Sequence, residues 1–393
     1  MKKILLFVTL LLCYSVTLAH AIYNPLSLPN NRYGVHILDP SELESAAKLV
    51  NSTGGDWGYV TIPIRADDRD PDKWQRFFST ASRLHIIPIL RLATYFGPDH
   101  WATPTVYDLV DFANFLSDMP WPTQNRYVIL FNEPNHAKEW GSQINPSQYA
   151  SLLVDAKEIF KSRSADFFLI SAGLDMSAPS NHTSLDALKF YRRVSQAQPS
   201  WYKSIDGLAV HAYPNPGFSA SVYSQSRYGV TSYHQEITLL SQLGYPTKPI
   251  FITETGTISS QSFYPIAFNN IWTEAEIIAI TPFLLFAGTG EFTPFSLLSP
   301  IRLPKPHYQD IFTQSKTAGS PLLNNTAIVS LPSSPSYPTS VPGPKMFNLI
   351  DRLKHIFSPQ KPILQIGTTS INVEIADSQS ERAQGLSGRK ALP

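Results

Sequence analysis

The sequence has a single cysteine among its 393 residues, Cys13, so the fold cannot depend on a framework of disulfide bonds. It has no excess of either charge: the formal net charge is +1 at pH 7, which gives no electrostatic reason to expect nucleic acid or an anionic membrane as a partner. No His, Cys and Asp cluster has the spacing of metal ligands, so we expect no catalytic metal and no cofactor. A G-x-S-x-G elbow is also missing, which disfavours a serine hydrolase.

The first 21 residues, MKKILLFVTLLLCYSVTLAHA, have the layout of a secretory signal peptide. Two lysines precede a mostly apolar stretch over 4–16, and an A-x-A site ends at Ala21. A retained anchor helix is the alternative, but the apolar run is short for a span of roughly 20 residues. We therefore expect cleavage after Ala21 and a mature chain that is secreted, periplasmic or at the cell surface, with no stable membrane anchor.

Eight short apolar runs, most of them without polar alternation, recur along the chain. They are YGVHI (33–37), WGYVTIPI (57–64), IIPILRL (86–92), YVILFN (127–132), FFLISAG (167–173), IDGLAVHAY (205–213), PIFITETG (249–256) and IAITPFLLFAG (278–288). Runs of this kind are typical of parallel strands that are buried on both faces. Amphipathic segments between them indicate helices, so the pattern predicts an α/β fold of the (β/α)8 TIM-barrel type. A doubly wound open sheet is disfavoured because no G-x-G-x-x-G turn follows the first strand.

Capping and stop signals mark several of the predicted helices. Asp70-Pro71 and Asn145-Pro146 begin two of them, and Gly244 ends a third. A further helix is predicted over 345–357, whereas the Pro- and Ser-rich stretch 289–344 is predicted to be a long final loop. The domain plan is a signal peptide (1–21), a barrel (22–357), a linker (358–362) and an incomplete fragment of a small β-rich domain (363–393).

Polar side chains lie at the carboxyl ends of the predicted strands, where barrel enzymes bind their ligands. They are His36, Arg91, Asn132, Glu133, His211, Tyr213 and Glu254. Glu133 and Glu254 end strands four and seven, which face each other across the mouth of a closed barrel. Two facing carboxylates can hydrolyse a glycosidic bond, one as the acid and the other as the nucleophile. We expect Tyr213 and Arg91 to keep the nucleophile ionised, and Asn132 to bind the sugar 2-hydroxyl.

This arrangement resembles the clan A glycoside hydrolases over residues 31–357. The matching motifs are Asn132-Glu133-Pro134, His211-Ala212-Tyr213 and Glu254 in ITETG. The resemblance implies that Glu133 is the acid/base, that Glu254 is the nucleophile, and that the reaction retains anomeric configuration.

Aromatic side chains near the predicted strand ends are candidate platforms for sugar rings. Many clan members end strand eight in a Trp beneath the sugar; this chain has LLFAGTGEF there, and Phe286 is the expected substitute. Trp140, in the loop after strand four, is a second candidate. Other loop aromatics, among them Trp101, are more simply read as local packing, and His36 as structural.

The C-terminal stretch VEIADSQSERAQGLSGRKALP is similar to the start of the bacterial domain of unknown function numbered 192. It contains the V-E-x-A and E-R-x-x-G-L-x-x-R elements of that signature over about 25 residues. We expect the remainder of that domain to be absent, as in a truncated two-domain protein.

The sequence thus predicts a monomeric, secreted retaining glycosidase that cleaves an oligo- or polysaccharide, with β linkages favoured. Two other functions stay open: a carbohydrate-binding barrel without turnover, and a transglycosylase that remodels glycans. The sugar, the linkage, endo or exo action and the family within the clan are also open.

Overall fold

The computed structural model describes residues 21–259 and 262–324, together with the backbone of two strands near the C-terminus. These residues fall into two units, one within Met1–Val329 and one within Ser330–Pro393, and each is described by itself. The predicted signal peptide up to residue 20, the helix predicted over 345–357 and the linker predicted over 358–362 lie outside the described residues, as does most of the C-terminal tail.

The first unit contains eight strands, one within or overlapping each predicted apolar run. They are β1 Gly34–His36, β2 Gly58–Arg65, β3 Ile86–Ala93, β4 Arg126–Ile129, β5 Phe167–Ile170, β6 Leu208–His211, β7 Ile250–Glu254 and β8 Ile277–Ile280. All neighbours pair in parallel, in a five-stranded sheet β1–β5 and a three-stranded sheet β6–β8. Single parallel bridges join Ile170 to Gly207 and Tyr33 to Ile280, so the two sheets form a closed ring. The (β/α)8 prediction is confirmed.

Helices cover the outside of this ring. They are α1 Leu43–Val50, α2 Pro71–Arg83, α3 Val106–Ser117, α4 Pro146–Arg163, α5 Ala187–Ala197, α6 Tyr233–Gln242, α7 Tyr264–Ile266 and α8 Pro306–Phe312. The predicted caps are present: the side chains of Asp70 and Asn145 accept hydrogen bonds from the first turns of α2 and α4. Gly244 follows α6 with a φ of 81°, a conformation that glycine adopts easily.

The period of two along each strand separates the side chains into an outer and an inner set. Alternate residues such as Leu90 and Val128 face the helices, while Ile89 and Tyr127 face the barrel interior. Arg91 continues the inner row of β3 beyond Ile89. The same alternation brings polar residues at the strand ends toward the mouth of the barrel.

Large aromatic side chains fill the barrel interior. Tyr59, Tyr127, Phe168 and Phe251 are each 2% exposed or less, and their rings contact one another at centroid distances of 5.1–6.2 Å. The interior is therefore a packed core that supports the strand ends from below.

The stretch predicted as one long loop over 289–344 contains a helix in its described part. Helix α8, Pro306–Phe312, packs against α1 and fills the outer layer after β8. Its brevity, and the prolines around it, hid the helical periodicity from the sequence. In the second unit, Ile363–Ile366 pairs antiparallel with Thr369–Asn372. None of the helices in the described ranges has the length and apolar character needed to cross a bilayer.

Candidate active site

The two glutamates predicted from the sequence are held by the ends of β4 and β7. Glu254 is the last residue of β7, and Glu133 lies in the turn that follows β4. This turn has positive φ angles at Phe131 (72°) and Glu133 (31°), which are uncommon for residues with a side chain and cluster at functional sites. The Glu133 amide donates to the carbonyl of Gly173 at 3.1 Å, so the turn is tied to the loop after β5.

His211, at the end of β6, lies between the two carboxylates. Its Nδ1 is 2.7 Å from Glu133 Oε1 and 3.8 Å from Glu254 Oε2. One carboxylate oxygen of each glutamate and a ring nitrogen of the histidine all lie within 4.8 Å of one another. The imidazole is 2% exposed, whereas the side chains of Glu133 and Glu254 are 22% and 11% exposed. The structure therefore brings three of the predicted residues into one compact group.

The protonation of His211 follows from this position. Burial alone lowers the pKa of the imidazole, but the charges of Glu254 and Glu133 and the hydrogen bond to Glu133 raise it to about 9. The ring is therefore a cation at neutral pH. A metal ion at Glu133, His211 and Glu254 would have to displace this proton, and the expected absence of a metal stays a prediction.

Glu254 is held as a carboxylate by its neighbours. The Tyr213 hydroxyl donates to Glu254 Oε2 at 3.1 Å. Burial raises the pKa of this carboxyl, but the charges of His211 and Arg91 and the hydrogen bond from Tyr213 hold it below its usual value. The roles expected for Tyr213 and Arg91 therefore have a geometric basis.

His36, at the end of β1, is a buried neutral neighbour of Glu254. Its Nδ1 lies 4.0 Å from Glu254 Oε1, and burial lowers the pKa of its ring to about 3. Neither ring nitrogen has a hydrogen-bond partner among the described residues. His36 was predicted among the substrate-binding residues at the strand ends, and its unpaired ring nitrogens leave that role open.

Arg91 and Asn132 line a small cavity beside the glutamates. Its wall also includes Trp101 and Glu139. Arg91 Nε and Asn132 Oδ1 are both buried and have no hydrogen-bond partner within the described part of the chain. These two atoms are a free donor and a free acceptor, which suits a hydroxyl-bearing ligand.

Trp140 is not a sugar platform in this structure, and the prediction is wrong. The side chain is 1% exposed and packs edge-on between Phe131 and Tyr149. Its indole nitrogen donates to Gln148 Oε1 at 2.9 Å. The ring turns inward because it fills the space between the turn after β4 and helix α4.

Phe286 does not form the floor expected at the end of strand eight. It packs partly buried against the outer core, and the Arg302 guanidinium lies 4.0 Å from its ring centroid. The aromatic residue at this strand end is Phe283, whose ring meets His36 edge-on at 5.0 Å and packs with Tyr213. The predicted strand ran to residue 288 and so passed over this end. Pro282 was the signal that could have placed the end correctly.

Two further groups near Glu133 were not assigned to the site from the sequence. Glu139 accepts a hydrogen bond from Asn132 Nδ2 at 3.3 Å. His136 pairs through Nε2 with Asp175 Oδ2 at 2.9 Å, and this hydrogen bond raises the pKa of the imidazole against the lowering effect of burial. An acid six positions after a catalytic-type glutamate carries no motif, so the contact of Glu139 with the site needed the fold.

Comparison with known proteins agrees with the geometry. A family model described as the glycosyl hydrolase catalytic core matches residues 92–272, which include both glutamates. No curated protein matches the sequence significantly.

Similar solved structures have low sequence identity. A structure of XacCel5A aligns over 74% of this chain and 100% of its own, with 15% identity and a TM-score of 0.51. XacCel5A in complex with cellopentaose covers 72% of this chain and 98% of its own, with 14% identity and a TM-score of 0.50. A β-mannanase from Thermomonospora fusca covers 72% and 89%, with 13% identity and a TM-score of 0.46.

The barrel and the matched catalytic core define a glycosidase. The strand-end motifs that resemble clan A, Asn132-Glu133-Pro134, His211-Ala212-Tyr213 and Glu254, all lie within the matched residues 92–272.

Proposed function

We propose that this glycosidase is an exported, retaining enzyme that cleaves β-linked bonds of an oligo- or polysaccharide by double displacement. The close approach of the two carboxylates carries the proposal. Oxygens of Glu133 and Glu254 lie within 4.8 Å of each other. Retaining enzymes place their carboxyl groups about 5–5.5 Å apart, whereas inverting enzymes need about 6.5–9.5 Å to admit a water molecule.

In the first step, Glu254 attacks the anomeric carbon while Glu133 gives its proton to the glycosidic oxygen. The bond from the anomeric carbon to the leaving oxygen breaks, and an ester bond to Glu254 forms. The environment of Glu254 supports this assignment, since neighbouring charges and Tyr213 hold it ionised. His211 Nδ1 lies 2.7 Å from Glu133 Oε1, so the imidazole holds in place the carboxyl that transfers the proton.

In the second step, Glu133 takes a proton from a water molecule that attacks the same anomeric carbon. The ester to Glu254 breaks, the sugar leaves with its original configuration, and Glu133 is protonated again. We expect Arg91 and Asn132 to contact the sugar with a free donor and a free acceptor. Phe283, whose ring meets His36 edge-on, is the aromatic residue that we expect beneath the sugar.

Export is proposed from the signal-like residues 1–21 alone, and the monomeric state from the sequence. Expression in a bacterium, followed by N-terminal sequencing of the periplasmic or culture fraction, tests export. A new N-terminus at Ile22 supports it, and a chain that keeps Met1 and stays in the cytoplasm contradicts it.

The activity test uses aryl β-glucoside, β-mannoside and β-xyloside, together with cello-oligosaccharides and soluble β-glucans. The variants are Glu133→Gln and Glu254→Gln, with exposed Glu291→Gln as the matched control. On the oligosaccharides and glucans, we expect kcat/KM to fall by about 10²- to 10⁴-fold in the first two variants and to stay unchanged in the third. Proton NMR of the first product anomer reports stereochemistry, and inversion would overturn the mechanism.

The same experiment separates the other two functions. Sugar binding without turnover by wild type on the whole panel would favour a binding barrel. Products longer than the substrate would favour a transglycosylase.

A further inference from the structure

A third carboxylate, Glu139, reaches the site from the short turn after β4. Glu139 ends the 3-10 helix Ala137–Glu139, and its Oε2 accepts a hydrogen bond from Asn132 Nδ2 at 3.3 Å. The two side chains line the same small cavity as Arg91. Glu139 therefore contacts the residue that precedes the acid/base in the chain.

This position is electrostatically unfavourable for a carboxylate. Burial raises the pKa of Glu139 to about 7, and the negative charge of Glu133 acts in the same direction. Arg91 opposes this effect through its charge and Asn132 through its hydrogen bond. Within the described residues, Asn132 is the hydrogen-bond partner of the Glu139 carboxylate, and its amide and the Arg91 charge together offset part of the cost of burial.

The hydrogen bond determines which way the Asn132 amide faces. With Nδ2 directed at Glu139, the oxygen Oδ1 is left buried and without a partner among the described residues. Such an oxygen accepts a hydrogen bond from a ligand donor, and a rotated amide would present a donor instead. In glycoside hydrolysis, the hydroxyl beside the anomeric carbon makes contacts that strengthen in the transition state.

We propose that Glu139 is a positioning residue that orients the Asn132 amide, so that Oδ1 accepts a hydrogen bond from the 2-hydroxyl of the sugar at the cleaved bond. The site then selects a sugar with a free 2-hydroxyl on this ring. The inference rests on the proposed function and adds a specificity determinant to it.

The test compares Glu139→Gln with Glu139→Met on the aryl glycoside that wild type cleaves best. Gln keeps an acceptor for Asn132 Nδ2 without the charge, and Met keeps the length without an acceptor. We expect kcat of Glu139→Met to fall by about 10- to 100-fold with KM changed by less than about 3-fold. Glu139→Gln is expected to keep kcat within about 5-fold of wild type.

The 2-deoxy analogue of the same aryl glycoside distinguishes the positioning role from a merely structural one. On this substrate, wild type and Glu139→Met should differ by less than about 3-fold, because the hydroxyl that the amide reads is missing. Circular dichroism and a thermal melt check the fold, and Glu139→Ala replaces the Met variant if that one does not fold. In an Asn132→Ala background, Glu139→Met should have no further effect.

The outcomes are distinct. Equal losses on both substrates, a Gln variant as slow as the Met variant, or an unaffected Met variant would each overturn the positioning role while leaving the glycosidase mechanism intact. A wild type inert on every glycoside would overturn the mechanism and this inference together.

Discussion

At the scale of single residues, His211 lies between the two carboxylates that we propose to be catalytic. As a cation with a pKa of about 9, it neutralises part of the charge of two closely spaced carboxylates. Without it, Glu133 and Glu254 would repel each other in a largely buried site. The His211 ring also packs against Gly173, and a side chain at position 173 would not fit beside it.

The acid and nucleophile roles of the glutamates can be separated by the leaving group. We expect Glu133→Gln to lose about 10³-fold or more in kcat/KM on a substrate with a poor leaving group, but less than about 10-fold on a dinitrophenyl glycoside, because an acidic phenol leaves without a proton. Glu254→Gln should be equally inactive on both. Steady-state rates on the two substrates check this, and the reverse pattern would exchange the assignments.

Tyr213 is expected to tune Glu254 rather than to react. Tyr213→Phe removes the 3.1 Å hydrogen bond, which lowers the pKa of the Glu254 carboxyl. Because the ionised form loses this stabilisation, the acid limb of the kcat/KM profile should move to higher pH, with about a 10-fold loss at the optimum. A profile with an unmoved acid limb would argue against this role. Exposed Tyr107→Phe is the control.

Single residues also mark the limit of what the sequence predicts. The sequence predicted that the two glutamates lie with His211, Tyr213 and Arg91 at the barrel mouth, because the strand ends of a barrel converge there. Trp140 and Phe286 were misassigned because the direction of a loop aromatic depends on the space left by other elements. Glu139 was missed for the same reason.

At the scale of elements, the turns after β4 and β5 act as one support for Glu133, the proposed acid/base. The Glu133 amide binds the Gly173 carbonyl, and Gly173 also lies against the His211 ring. A Cβ at Gly173 would lie 2.3 Å from His211 Cδ2, which is far inside contact distance.

Gly173→Ala is therefore expected to displace His211 and to disturb both glutamates. We expect a destabilisation of about 1–3 kcal/mol and a loss of at least about 10-fold in kcat. Chemical denaturation and steady-state kinetics measure the two effects. Gly97→Ala, with its nearest contact at 3.3 Å, is the control, and a fully active Gly173→Ala would contradict the support role.

Elements were predicted with uneven success for physical reasons. Strands buried on both faces leave continuous apolar runs, so all eight were located, although β4 ends at Ile129 and not at the predicted residue 132. The difference arises because positive φ angles at Phe131 and Glu133 end the pairing. Helix α8 was overlooked because seven residues are too few to establish a period.

At the scale of the whole molecule, several buried groups bind protons more tightly in the folded state. Burial raises the pKa of Glu236 to about 8 and those of Glu42 and Glu139 to about 7, while that of His211 is about 9. Because these pKa values are higher in the folded state than in the unfolded state, the contribution of each group to the free energy of unfolding falls as pH rises. The loss begins at about pH 4.5 for the glutamates and extends from about pH 6.5 to 9 for His211. His36 acts oppositely, and its contribution is lost as pH falls from 6.5 to about 3. We expect maximal stability near pH 5.

Glu236 offers a direct test because it is fully buried in the outer core. Its Oε2 accepts a hydrogen bond from Tyr191 at 3.0 Å. Wild type should melt at least roughly 2 °C lower at pH 8.5 than at pH 5.5, and Glu236→Gln should show a smaller difference because one titrating group is gone. Scanning calorimetry at the two pH values measures this, with exposed Glu158→Gln as control. An unchanged pH dependence in Glu236→Gln would contradict the assignment.

The aromatic core of the barrel limits the routes by which substrate, product and water reach the site. Because Tyr59, Tyr127, Phe168 and Phe251 fill the interior, incoming glycan, departing fragment and attacking water all have to use the rim at the strand ends. In the proposed double displacement, a leaving fragment that dissociates slowly from this rim delays the attacking water and stays close to the sugar bound to Glu254. The ratio of hydrolysis to glycosyl transfer then depends on how long the leaving fragment stays bound at the rim compared with how soon water enters.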